Sequence, residues 1–269
     1  MQVVAGYQAN SPAMASQDSR DLGTEIRLWW RRNMAVNAIV DFGFGFGISM
    51  LATSTIVAVF LKHMGASNII VGLAPAVTMV CAMVSQLPAT HWTRNLREKK
   101  KAFVALHIAS YLPWLVVGAL TLRWAQPHPQ RMIVALLALM ALYALLMGAS
   151  IPLWGQLLPR LFPDRKRGMA LGIILLAQGA AGVAGGLFAV YTLTHRPYPL
   201  NFATLFLTAG CCMVVARSLH LLVHESVPAE PPEAPPETPR GSLRRTIAGI
   251  WRAAGASGVP PATPAARTR

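Results

Sequence analysis

One carboxylate stands inside the apolar part of this chain. Asp41 is the only acid within six long apolar runs, and an ionisable group in such a setting is costly enough to be a functional candidate by default. At a helical turn of about 100° per residue, Asp41, Gly45, Ser49, Ala52 and Thr53 fall in one sector of about 120°. Two readings fit this polar, small-residue stripe. In the first it is a cavity wall, where Asp41 holds a proton, a cation or a solute, and Ser49 and Thr53 add hydroxyls. Gln156, behind Gly148, Pro152 and Gly155 of the fourth run, is the matching polar candidate there. In the second, Asp41 sits near the membrane boundary and caps a helix or pairs with a basic neighbour.

The glycines around these residues carry a related signal. Gly43, Gly45 and Gly47 loosen the segment that holds Asp41, as Gly148, Pro152 and Gly155 loosen the fourth run. Glycine or proline breaks in corresponding spans of two repeats point to a transporter binding site. Gly179, Gly182, Gly185 and Gly186, behind Gln178 in the fifth run, read first as close helix packing. Gln86, His91, His107 and Gln178 can each bond a neighbouring helix or a ligand.

Enzyme chemistry is not indicated. No Walker loop, HExxH, GxSxG or paired carboxylates occur, so the chain is not expected to be an enzyme or an ATP-driven pump. Cys81, Cys211 and Cys212 lie in apolar runs without CxxC or Cys/His spacing, which predicts neither a disulfide framework nor a metal site. No cofactor is expected.

The elements that must position these residues follow from composition. Of 269 residues, 54% are hydrophobic and only 13% charged, against about 25% charged in a soluble domain. The apolar runs cover 37–61, 69–92, 102–122, 132–158, 168–193 and 200–223. Each is long enough, at about 1.5 Å per residue, to cross a hydrocarbon core of about 30 Å. They are continuously apolar rather than alternating, which excludes a β-barrel. The expected fold is an all-α integral membrane protein of six transmembrane helices in two three-helix repeats.

Charge sets the orientation. The turn TRNLREKKK at 93–101 places Arg94, Arg97, Lys99, Lys100 and Lys101 between two membrane-length runs. With Arg27, Arg31, Arg32, Arg160, Arg165, Lys166 and Arg167 this makes twelve cations on one side. Lys62, Arg123, Arg131 and Arg196 make four on the other. Basic short loops resist translocation, so both termini are expected in the cytoplasm of a multi-pass plasma-membrane protein. The same placement explains the net charge of +14 without nucleic acid.

The flanks differ from the core. Residues 1–23 read as a disordered cytoplasmic tail, and 24–36, with Trp29 and Trp30 among Arg27, Arg31 and Arg32, as an interfacial flank of the domain at 37–223. Residues 224–269 form a proline-rich cytoplasmic linker in which 242–253 carries an apolar stripe suited to an interfacial helix.

Together these features resemble the amino-terminal half of a major facilitator superfamily transporter. The family's loop motif GxxxDRxGRK aligns with Ala89, Thr93, Arg94, Leu96, Arg97, Glu98 and Lys99, where Arg94 and Arg97 match while Ala89 and Thr93 replace the glycine and the aspartate. Pro163 to Gly168 with Gly172 looks like the family's RGxxxG entry to span five, and Phe60 to Pro75 like its first outer loop. The resemblance implies transport of a small solute by alternating access, with a proton or cation as the candidate coupling ion. It gives Arg94 and Arg97 a place in a cytoplasmic gating loop. It also implies a second six-span half, or a homodimer, as partner within the bilayer. The alternative is a truncated or non-transporting membrane scaffold that needs such a half.

Overall fold

The computed structural model describes residues 12–93, 96 and 98–227, with side chains from residue 20 onward. Every regular element among them is helical, and none is a strand. Six helices, Arg20–His63, Asn68–Thr93, Lys99–Trp124, Pro129–Leu161, Asp164–His195 and Leu200–Leu222, are long and apolar enough to cross a membrane. This is an all-α, six-span protein.

The first span is compound. Helix α1 (Pro12–Ser49) runs straight through Gly43, Gly45 and Gly47 and then breaks at 50–52. A five-residue π-helical turn (Thr53–Val57) follows, and then α2 (Ala58–His63). Around the break, Met50 and Leu51 donate to carbonyls three residues back, while Val57 donates five back to Ala52. A helix that tightens and then widens in this way marks a local departure from regular winding. The fourth span differs from expectation: α5 (Pro129–Leu161) continues unbroken past Pro152. The proline costs one backbone hydrogen bond without ending the helix.

Helices α3 (Asn68–Thr93), α4 (Lys99–Trp124), α6 (Asp164–His195) and α7 (Leu200–Ser218, continued by a 3₁₀ turn at Leu219–Leu222) complete the bundle. Helix α1 packs on α6 and α7; α5 packs on α3 and α4; α4 also packs on α7. Glycine permits the closest crossings. A Cβ on Gly45 would stand 2.1 Å from the Gln178 carbonyl oxygen of α6, and one on Gly185 would stand 2.2 Å from Ser49 Oγ. Gly148 similarly lets α5 reach the Ala82 carbonyl of α3. Gly179 and Gly186 face open space. Elsewhere a buried aromatic cluster joins α2 to α7, with the Phe60 ring centroid 4.9 Å from that of Phe202 and 5.2 Å, edge-on, from that of Phe206.

Two sequence expectations are corrected. Residues 12–23, read as disordered, are the first turns of α1; a proline at the first helical position costs no intrahelical bond, and Ala13, Met14 and Ala15 favour helix. Residues 224–227, read as the start of the proline-rich linker, lie against the bundle. Glu225 accepts from the Lys99 and Lys100 backbone N–H groups at 3.2 and 2.9 Å and pairs with Arg160 at 2.6 Å. Its carboxylate therefore supplies the cap that the first turn of α4 lacks in its own sequence. The rest of the linker, including 242–253, lies outside the described residues, as do Arg94 and Arg97.

Candidate functional site

A column of buried polar residues runs down one face of α1. Asn33, Asn37 and Asp41 are spaced by four, so they stack along one stripe, and none is more than 8% exposed. The sequence meets them with a matching set at the end of α7. Arg217 Nη2 donates to Asp41 Oδ1 at 3.2 Å. His220 Nε2 and Asn37 Oδ1 are 3.0 Å apart. Asn33 accepts from the His224 N–H and donates to its carbonyl, both at 2.9 Å. Because Asn37 Nδ2 already donates to the Asn33 carbonyl at 2.7 Å, its oxygen must accept, and the proton of that bond sits on His220 Nε2.

Asp41 and Arg217 also form one wall of a cavity of about 230 Å³ among α1, α4, α5, α6 and α7. Its other polar members are His107, Ser150 and Gln178; Phe103, Met147 and Trp154 supply much of the apolar remainder. Trp154 stacks on Phe103 at 5.5 Å. His107 Nδ1 lies 3.2 Å from the Phe103 carbonyl and its Nε2 lies 3.5 Å from Ser150 Oγ. Ser150 gives its own proton to the Met147 carbonyl at 2.6 Å. The Phe103 carbonyl fixes the Nδ1–H tautomer, and because Ser150 spends its one proton on Met147, His107 Nε2 is left as an acceptor open to the cavity.

Arg217 holds its position through the carboxylate and through the face of Phe44, 4.6 Å below its guanidinium carbon. Its Nε is buried without a partner among the described residues. A guanidinium offers five N–H donors, so one carboxylate leaves capacity unused. A charge pair in a nearly dry wall is costly to bury and more costly to break. The arrangement can therefore exchange a proton, a cation or an acceptor group of a solute against a pairing that is already present.

The sequence candidates separate in space. Asp41 lines the cavity and pairs with Arg217. Ser49 turns its hydroxyl onto the Phe46 carbonyl and packs against the Gly185 position. Thr53 lines a different cavity, of about 250 Å³, with Trp114 and Tyr143. Gln156 is half-buried on α5 and lines neither cavity. His107 and Gln178 are the polar span residues that join Asp41. Arg217 and His220 were missed by the sequence reading, although a lone cation inside the sixth apolar run was the available signal.

The family model described as Major Facilitator Superfamily matches residues 38–261, a stretch that holds Asp41, Arg217 and the whole cavity wall. No curated protein matches the chain. With six membrane-length helices, no strand among the described residues, and a polar pocket between the spans, the chain belongs to the Major Facilitator Superfamily, a family of multi-pass membrane proteins that move solutes across the bilayer.

Proposed function

We propose that the chain transports a small solute by alternating access, as a secondary transporter of the plasma membrane in which Asp41 takes part in ion or proton coupling. The observation that carries this reading is the Asp41–Arg217 pair in the wall of a cavity between spans. A proton or cation arriving at Asp41 would release Arg217, and the freed guanidinium changes what the cavity can hold; that linkage is the minimum a coupled transporter needs. Ser49, Thr53 and Gln156 are proposed as further polar contacts on the solute's path, and Arg94 and Arg97 as parts of the cytoplasmic gate.

The six spans are proposed as the amino-terminal half, in two three-helix repeats with both termini cytoplasmic. Reciprocal packing supports the repeats: α1 lies on α6 and α7, the later helices of the second set, and α5 lies on α3 and α4, those of the first. Rocking needs an opposing wall, which a second six-span unit or a second copy would supply.

The test is solid-supported-membrane electrophysiology on the reconstituted chain, perfused with a panel of small solutes under a proton or sodium gradient. Gradient-dependent current from a solute, abolished in Asp41→Asn with insertion intact, is the expected result. Unchanged current in Asp41→Asn would sink the coupling role. A second reading, a scaffold that does not transport without a partner half, is favoured by α3, which leaves Leu73, Met79, Met83 and Leu87 exposed along its length; it expects no current from the chain alone.

A further inference from the structure

Residues 23–30 of α1, the end of α5 and the first turn of α6 enclose a groove of about 850 Å³ that the transport reading does not use. Its chemistry is two-sided. Arg27, Arg165, Lys166 and Arg167 line it with a single acid, Asp164. That acid is spent on Arg167, 2.5 Å away, and the other three cations have no ion-pair partner among the described residues. Arg27 is steered over the groove by donating its Nε to the Gly23 carbonyl at 3.2 Å. Arg167 Nε is buried and left without a protein acceptor. The rest of the lining is mostly apolar, with Ile26, Trp30, Pro159 and Phe162 prominent. Trp30 is in turn covered by Arg31, whose guanidinium carbon lies 5.6 Å from the ring centroid.

We infer that this groove binds an anionic glycerophospholipid of the surrounding bilayer. The phosphate fits the cations, which offer charge-assisted donors with little acid to compete. The glycerol and upper acyl chains fit the Trp30 and Pro159 wall. An amphipathic indole beside arginines belongs at the headgroup level. The groove also joins the ends of the first, fourth and fifth membrane-length helices. A free anion would satisfy the cations and leave the apolar wall unused. The inference rests on the spans crossing a membrane, not on solute transport, so it can fail while the transport reading stands.

The experiment is quenching of Trp30 emission in the full chain, purified in mixed micelles, by acyl-brominated phosphatidylglycerol or phosphatidylcholine at matched ionic strength. Trp30→Phe isolates the contribution of this ring. Half-quenching is expected at a phosphatidylglycerol fraction at least about fivefold lower than for phosphatidylcholine, the order of preference one or two surface cations confer. The triple variant Arg27→Gln/Arg165→Gln/Lys166→Gln should lose that preference. The conservative Arg27→Lys/Arg165→Lys should keep it. Arg123→Gln/Arg131→Gln/Arg196→Gln, with the same charge change in other loops, should also keep it. Equal quenching by both lipids in the unaltered chain overturns the inference, whatever the variants do. So does a preference that survives the groove triple variant, or one that inorganic phosphate abolishes at the matched ionic strength, which would mark a free-anion site.

Discussion

Asp41 stands out in the sequence as a lone acid, but what it does is decided by a residue 176 positions later. Arg217 is 6% exposed, so neutralising it strands a carboxylate in an apolar wall. Arg217→Gln is expected to cost about 3–5 kcal/mol, the usual penalty for breaking one side of a buried pair. The double variant Asp41→Asn/Arg217→Gln should recover most of that loss, because no unbalanced charge remains. Thermal unfolding in detergent checks both, and a double variant no more stable than Arg217→Gln would show that the pair is not what holds the two helices together. Of the Asn33, Asn37 and Asp41 stripe the sequence marked Asp41 alone, since the other two members are neutral and Asn33 precedes the first apolar run. The partners lie in another span, and periodicity along one helix says nothing of which face of a distant helix it meets.

At the scale of elements, span number and apolar character were legible because each is a property of one continuous stretch. The breaks were not. Glycine and proline loosen a helix in principle, yet the three glycines of α1 serve close packing, Pro152 leaves α5 continuous, and the real interruption falls at 50–52. Which glycines matter depends on which face meets a neighbour. Gly185 has Ser49 Oγ and the Phe46 carbonyl within 2.3 Å of a would-be Cβ, while adjacent Gly186 has nothing within 4 Å. Gly185→Val should therefore separate α1 from α6 at a cost of about 1–3 kcal/mol or more, whereas Gly186→Val should fall within about 0.5 kcal/mol of the parent, as surface changes do. Expression level and unfolding midpoint of the two variants, side by side, decide it; equal losses would refute the crossing. The cap on α4 shows the same limit of sequence reading, because Glu225 acts 126 residues from the backbone N–H it receives.

For the whole molecule, charge asymmetry between loops gives an orientation that can be measured directly. In a background with Cys81, Cys211 and Cys212 changed to serine, Pro127→Cys in the α4–α5 turn should react with an impermeant maleimide on intact cells. Arg165→Cys in the first turn of α6 should react only after permeabilisation. The reverse pattern would invert the topology and remove the cytoplasmic assignment of both ends. The described segment beyond α7 adds a consequence for anything joined to this bundle. His224 is held by Glu25 and Asn33 of α1, and Glu225 by α4 and Arg160 of α5. A tether to another module is thus moored at Glu225 rather than at Val223, which takes roughly 7 Å from its reach at about 3.3 Å per residue. A shorter leash confines its cargo to a smaller volume and raises the effective concentration of whatever hangs on it. It also delivers any pull to three helices at once.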